Sequence, residues 1–338
     1  MKKYNHGMVL GKFYPPHKGH LYLIEEAIKH CRRVTVFICT QPSEDIDGET
    51  RFSWLSKISQ SRNWGITLIW VKDELPQTPE EHGDKEDFYR IWTNVVHSRQ
   101  NELDVIFTSE SYGDEYAEYL GLKHHLVDLE RTKHNVSGTA IRNNPFDNWE
   151  HIPIEVKPYF KKKVVVMGPE STGKTTLIKR LSEHYKGDLV LEYGREFTDE
   201  IPASTMCEMD FEEIAVHHHT DIMDKVMNGE KRMVFVDTEA LTTLAFAEMY
   251  LGNIGYSPPI EDCIGYQWGL FDLVLVLGID VPWIDDGTRD FPNDRERHLK
   301  MIKDKLRGRE IPYKNITGTY EERFETSKKL INKTLTKL

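Results

Sequence analysis

Two stretches of this 338-residue chain combine glycines, cations and hydroxyls at spacings that suit phosphate chemistry, and they suit different kinds of it. The first is Gly11-Lys12-Phe13-Tyr14-Pro15-Pro16-His17-Lys18-Gly19-His20, directly after the apolar Met8-Val9-Leu10. A strand that ends at a glycine and turns through two prolines delivers His17 and His20 to the start of a helix. Free backbone N–H groups and the positive dipole end favour bound phosphate there. The second is Gly168-Pro169-Glu170-Ser171-Thr172-Gly173-Lys174-Thr175, after Val164 to Met167 and before a helical stretch that opens with Thr176. It satisfies G-x-x-x-x-G-K-[ST] in full: backbone N–H groups cradle phosphates, Lys174 reaches the β and γ groups, and Thr175 ligates Mg²⁺. The first pattern suits attack at an α-phosphate, the second transfer of a γ-phosphate.

Each motif has a companion elsewhere in the chain. In Val136-Ser137-Gly138-Thr139-Ala140-Ile141-Arg142, Ser137 or Thr139 can cap a helix while Arg142, about one turn later, faces the first phosphate cluster. Val234-Phe235-Val236-Asp237 reads as a strand with a terminal acid, a partner for the metal of the second site. Glu192-Tyr193-Gly194-Arg195-Glu196 follows the next strand after the phosphate-loop helix, a place for an acid at a substrate hydroxyl, with Arg195 beside the substrate. Glu192 is expected near the substrate and Asp237 near the metal, although the two roles are exchangeable. His217-His218-His219 could suggest a metal cluster, but consecutive helical residues point around the axis rather than converging.

The elements that must carry these residues alternate. Met8 to Leu10, Val34 to Cys39, Thr67 to Val71 and Val105 to Thr108 read as apolar strands separated by helical periodicity. Val164 to Met167, Leu189 to Leu191, Val234 to Val236 and Leu273 to Leu277 repeat the pattern. Strand–helix alternation implies parallel sheets with helices on both faces. Lys72 to Asp87, rich in Glu, Pro and Asp, is expected to be an exposed loop, and the chain from Arg295 onward is charged and helical in character. Three prolines between Asn144 and Pro158 interrupt the periodicity, which puts a domain boundary near residue 157. The expected fold is therefore α/β: two tandem doubly wound parallel-sheet domains, residues 1–157 Rossmann-like and residues 158–338 a P-loop kinase.

Composition narrows the class. A formal net charge of −11 and a pI near 5.8 argue against a nucleic-acid-binding surface. Four cysteines with no C-x-x-C pair suggest neither a zinc site nor a disulfide framework, which fits a reducing cytoplasm. No signal-like apolar stretch opens the sequence, and no run is long enough to span a membrane.

With these residues in view, the chain resembles the nucleotidyltransferase superfamily, and within it the nicotinamide-mononucleotide adenylyltransferases. Thr108-Ser109-Glu110-Ser111-Tyr112-Gly113-Asp114, Asp128 with Arg131, and Arg142-Asn143-Asn144-Pro145 followed by Trp149 are similar to one branch. That branch is the bacterial bifunctional nicotinamide-nucleotide adenylyltransferase/ribosylnicotinamide kinase. Asp237-Thr238-Glu239 and Trp283-Ile284-Asp285-Asp286-Gly287-Thr288-Arg289 resemble its kinase half. The resemblance implies phosphorylation of nicotinamide riboside to the mononucleotide, then adenylylation of the mononucleotide to NAD, with ATP and Mg²⁺ in both steps. It implies that His17 and His20 contact ATP phosphates and that Lys12 and Arg142 add charge to the pentavalent transition state. Many members carry Arg in place of Lys12, a planar fork rather than a point charge. Gly11, Phe13, Ser137 and Thr139 are expected at ATP in the first site. Gly168, Glu170, Ser171, Thr172, Gly173, Thr175, Thr176 and Arg289 are expected at ATP in the second, with Arg289 on a closing lid. Thr175 and Asp237 would hold the metal, and Tyr112 and Trp92 the mononucleotide, Trp92 lying in a W-x-x-x-V stretch that ends at Val96. The longest members of the family add an N-terminal helix-turn-helix. Here the first strand begins within ten residues, so no DNA-binding role is expected. A homo-oligomer is compatible with the sequence. A nucleotide-sensing regulator, or a transferase–kinase fusion for another small molecule, are the competing readings.

Overall fold

The computed structural model describes residues 2–252, 254–267, 269–284 and 290–335, with the backbone alone at 80. Arg289 and its neighbours 285–288 lie outside the described residues. The chain divides into two compact units, Met1–Lys157 and Pro158–Leu338.

In the first unit the elements are β1 (Tyr4–Gly11), α1 (Lys18–His30), β2 (Cys31–Cys39), α2 (Gly48–Ser61), β3 (Thr67–Val71), α3 (Pro79–His82), α4 (Lys85–Arg99), β4 (Val105–Thr108), α5 (Gly113–Leu120), β5 (Lys123–Leu126) and α6 (Gly138–Asn143), with a short helix α7 (Lys157–Phe160) at the boundary. All five strands are parallel in the order β3-β2-β1-β4-β5. Both faces are apolar, as a parallel sheet covered on two sides requires. Val9, Val36 and Ile38 pack with Ile24 and Ala27 of α1 on one face. Met8, Phe37 and Ile106 pack with Trp92, Val96 and Leu120 on the other. The strand order reverses between β1 and β4, so the chains leaving their C-terminal ends part and open a crevice. The first motif begins there.

Two sequence expectations change here. The strand β5 was not foreseen because Lys123-His124-His125-Leu126 has no apolar alternation; it sits at the sheet edge, paired only with β4. The segment Lys72 to Asp87 is not all loop. Thr78 caps α3 through Glu81 N–H at 3.2 Å, and Asp84 caps α4 through Asp87 N–H at 3.0 Å.

The second unit contains β6 (Lys162–Met167), α8 (Lys174–Tyr185), β7 (Asp188–Val190), α9 (Tyr193–Glu200), α10 (Glu208–Asn228), β8 (Met233–Asp237), α11 (Ala240–Leu251), α12 (Pro258–Gln267), β9 (Leu273–Leu277), α13 (Arg295–Gly308), β10 (Lys314–Ile316) and α14 (Tyr320–Leu335). Its strands are parallel in the order β10-β9-β6-β8-β7. Val164 and Val166 face Leu177 of α8 and Phe324 of α14. Val165 and Met167 face Ile214 of α10 and Leu244 of α11. Val166 pairs with Asp237 and Met167 with Val276. The glycine-rich loop and Asp237 therefore leave neighbouring strands at the same edge. The short β10 was also unforeseen, since Lys314 and Asn315 are polar and exposed.

Candidate active sites

The first crevice is built from side chains. Its cleft holds about 1030 Å³, counting the part open to solvent, and is lined by Lys12, Phe13, His17, His20, Arg131, His134, Ser137, Thr139 and Arg142. His17 is the N-cap of α1; its Nδ1 accepts the His20 backbone N–H at 3.4 Å. With Nδ1 accepting, the ring proton belongs on Nε2, which leaves a donor for a phosphate oxygen. The His17 and His20 rings stack at 3.6 Å between centroids, and Phe13 packs on His20 at 4.9 Å. Burial and then His20 depress the His17 pKa, while burial and then Arg131 push His20 down to about 3. Both rings are therefore neutral, each with one N–H. His20 Nδ1 is buried without a hydrogen-bond partner.

The cations reach the same cleft from separate elements. Ser137 caps α6 by accepting Ala140 N–H at 3.1 Å. Arg142, one turn on, donates to the Tyr14 carbonyl and to Thr139 Oγ1 at 3.2 Å, and its guanidinium lies 3.9 Å from the Tyr14 ring centroid. A side chain at Gly138 would collide with the Tyr14 carbonyl, so only glycine lets α6 come this close. Lys12 Nζ sits 3.5 Å from Glu44. A second cavity, lined by Gly11, Lys12, Phe88, Trp92, Tyr112 and Tyr116 among others, adjoins it at Lys12. Trp92 is only 5% exposed and its indole N–H donates to Pro76 O at 2.9 Å, so it is both core residue and cavity wall.

The second site is built from backbone. Gly173 has φ +80°, and a Cβ there would lie 2.7 Å from Tyr320, so the loop needs glycine twice over. The loop runs directly into α8, whose N-terminus starts at Lys174. Lys174 Nζ donates to Pro169 O at 3.1 Å, folded onto its own loop. Thr172 Oγ1 donates to Pro169 O at 2.8 Å, so this side chain shapes the loop and leaves its N–H for phosphate. Ser171 Oγ accepts Ile284 N–H at 2.7 Å, and Glu170 accepts Phe291 N–H at 3.4 Å. Thr176 is exposed on the first turn of α8 and can offer ATP only its N–H from the helix start.

Beyond the loop lies a cleft of about 740 Å³ lined by Glu170, Lys174, Glu192, Tyr193, Arg195, Phe211, His218, Thr238, Phe246 and Tyr250, among others. Thr175 Oγ1 donates to Asp237 Oδ2 at 2.5 Å, and Asp237 Oδ1 is buried without a partner. Hydroxyl and free carboxylate oxygen side by side fit a hard divalent cation completed by phosphate and water. Burial, and then Glu192, push Asp237 up to about 6. Glu192 pairs loosely with Arg195 at 3.7 Å.

The sequence reading missed several contributors. His134 lines the first cleft, and the fully buried Arg323 of α14 donates to the carbonyls of Thr172, Gly278 and Gly318 behind the glycine-rich loop. Nothing in the sequence distinguishes Arg323 from the surface arginines. The three consecutive histidines part as helical geometry requires. His217 stacks on Tyr193 at 3.8 Å, His218 lies buried 3.4 Å from Thr238 O, and His219 meets Gln267 at 3.2 Å.

Comparison with known proteins agrees with this division. Residues 8–144 match the Cytidylyltransferase-like family and residues 163–323 the AAA domain family. The Trifunctional NAD biosynthesis/regulator protein NadR of Salmonella typhimurium is 30% identical, over 95% of this chain and 81% of its own. The protein of the same name from Escherichia coli is 30% identical over 94% of this chain and 80% of its own. Two solved NadR structures share the fold. The complex with NAD and AMP-PNP has a TM-score of 0.75 at 22% identity, over 99% of this chain and 98% of that one. The complex with NR also has a TM-score of 0.75, at 21% identity, over 100% and 97%. A relationship at 30% identity that runs through both units places this chain in the NadR family.

Proposed function

We propose that the chain carries out two successive ATP-dependent reactions of NAD biosynthesis: phosphorylation of nicotinamide riboside in the second unit, and adenylylation of the resulting mononucleotide in the first. One observation supports this reading: each unit has its own cleft lined by phosphate-binding residue types, with His17, His20, Lys12 and Arg142 around one and Lys174, Glu192 and Arg195 around the other, next to the Thr175–Asp237 pair. In the first unit a phosphate oxygen of the mononucleotide attacks the α-phosphorus of ATP and the bond to pyrophosphate breaks. No covalent enzyme intermediate is required, so the work is positioning and charge stabilisation. His17 and His20 donate N–H groups to the phosphates, Lys12 and Arg142 supply charge, and Gly11, Phe13, Ser137 and Thr139 shape the ATP seat. Trp92 and Tyr112 wall the adjoining cavity, which would take the nicotinamide end.

In the second unit the riboside 5′-hydroxyl attacks the γ-phosphorus and ADP leaves. Glu192 sits where it can orient that hydroxyl and take its proton, Arg195 flanks it, and Lys174 bridges the β and γ phosphates. Thr175 and Asp237 would hold Mg²⁺, which when bound neutralises phosphate charge. Among the described residues no helix is long and apolar enough to cross a membrane. With four unpaired cysteines and a net charge of −11, we place the protein in the cytoplasm with small-molecule partners and no nucleic acid. Incubation with nicotinamide riboside, ATP and Mg²⁺, followed by chromatography, tests the reading. Mononucleotide should appear first and NAD after it. Binding without turnover would make the chain a nucleotide sensor, and a preference for CTP would redirect the first reaction to another product.

A further inference from the structure

Arg51, on the first turn of α2, is fully buried although it is a guanidinium. A buried charge is costly unless it is paired and its donors are used. Here each of its three nitrogens has a partner: Nη2 meets Glu44 at 2.6 Å, Nε donates to Asp47 O at 3.3 Å, and Nη1 donates to Lys12 O at 3.1 Å. Its Cζ also lies 4.9 Å from the Tyr14 ring centroid. Two of these contacts reach into the first motif, on either side of Phe13. Phe13 has φ +47°, a left-handed conformation that costs an aromatic L-residue energy and persists only where its surroundings impose it. Arg51 holds the carbonyl before Phe13 and Arg142 holds the carbonyl after it. The Phe13 ring in turn packs on His20. Glu44 serves Lys12 as well as Arg51, since its second oxygen faces Lys12 Nζ at 3.5 Å.

We infer that Arg51 is a positioning residue for adenylyl transfer. With Arg142 it fixes the left-handed turn that aims Lys12 and seats His20, and through Glu44 it keeps a carboxylate beside the Lys12 ammonium until ATP phosphate takes that place. The inference rests on the assignment of adenylyl transfer to this cleft.

The test uses the full chain, with riboside phosphorylation in the same preparation as the control for an intact protein. Arg51→Met should lower kcat for NAD formation from supplied mononucleotide on the order of a hundredfold, the effect of misplacing a reacting group by about an ångström. Riboside phosphorylation should be unchanged. Arg51→Lys keeps the charge and one donor and should recover roughly tenfold of that loss, which a mere packing defect would not predict. Glu44→Gln keeps a partner for Arg51 but frees Lys12, so KM for ATP should fall about threefold, opposite in sign to damage. Wild-type kcat in Arg51→Met overturns the inference. If that variant does not fold, wild-type kcat in Arg51→Lys, or a raised or unchanged KM in Glu44→Gln, overturns it instead. His20→Ala run alongside separates the levels. Should His20→Ala still make NAD, the site assignment itself has failed. Should it be inactive while Arg51→Met is normal, only the positioning role has.

Discussion

On the proposed assignment, the two units hold phosphate by opposite means. In the first, the donors are side chains drawn from β1, α1 and α6, more than a hundred residues apart in sequence, and the strained backbone at Phe13 serves to aim them. In the second, the donors are backbone N–H groups within one eight-residue loop, and the buried side chains, Thr172 and Arg323 above all, serve to shape that loop. A site made of side chains is lost one residue at a time, and each loss is graded by chemistry. A site made of backbone tolerates side-chain changes until they alter the loop or remove its lysine, Lys174. On that assignment the two reactions share no residue.

The largest expected effects follow from this separation. Lys174→Ala should slow riboside phosphorylation about 10²–10³-fold and leave NAD formation from supplied mononucleotide untouched, and His20→Ala should do the reverse. Steady-state rates of each half-reaction check this, and a substitution that slows both in a folded protein would break the comparison. Glu192→Gln comes next. It should slow riboside phosphorylation by about tenfold to a hundredfold, because phosphoryl transfer depends more on positioning than on proton removal. ATP affinity, read by fluorescence titration, should be kept; if ATP affinity collapses while riboside affinity survives, Glu192 and Asp237 have exchanged roles.

Trp92→Ala sharpens the side-chain half. Mononucleotide binding should weaken by ~1–3 kcal/mol, the range for loss of an aromatic stacking partner. Trp92 is also a core residue, so KM for ATP serves as the internal reference: an unchanged ratio of the two KM values would assign Trp92 to packing alone.

The smallest effect is a difference in pH response. Asp237 is pushed up to about 6 by burial, so its proton would compete with a metal held there as pH falls through that value. The carboxylate is the metal-binding form, hence the Mg²⁺ concentration needed for half-maximal phosphorylation should rise about tenfold per unit below pH 6. His20 is held down at about 3 and stays neutral over the same range. Adenylyl transfer should lack this particular loss between pH 7 and 5, and a parallel change in both activities would remove the distinction.

How much of this was legible in the sequence follows the same division. The glycine-rich loop is contiguous, so its residues could be read as a unit. The first site was legible in two pieces, 11–20 and 137–142, because helix caps and histidines at a helix start leave a local signature. What stayed hidden depends on tertiary burial. Arg51 and Arg323 look like any charged helix residue until the fold closes over them, and nothing local foretells their carbonyl partners. Edge strands β5 and β10 were hidden for the opposite reason, since strands that pair along one edge and stay largely exposed need no apolar run. The expected lid residue Arg289 lies outside the described residues and keeps only its sequence argument.

The central claim, two self-sufficient sites in one chain, is tested most directly by mixing. Lys174→Ala and His20→Ala proteins, each unable alone to convert nicotinamide riboside to NAD, are combined in equal amounts with riboside, ATP and Mg²⁺, and NAD is followed by chromatography. Mononucleotide made by the His20→Ala protein should be consumed by the Lys174→Ala protein, so NAD should accumulate after a lag that shortens as protein concentration rises. A mixture that remains blocked, with each variant also unable to perform its own retained half-reaction, would contradict the account and require a shared site.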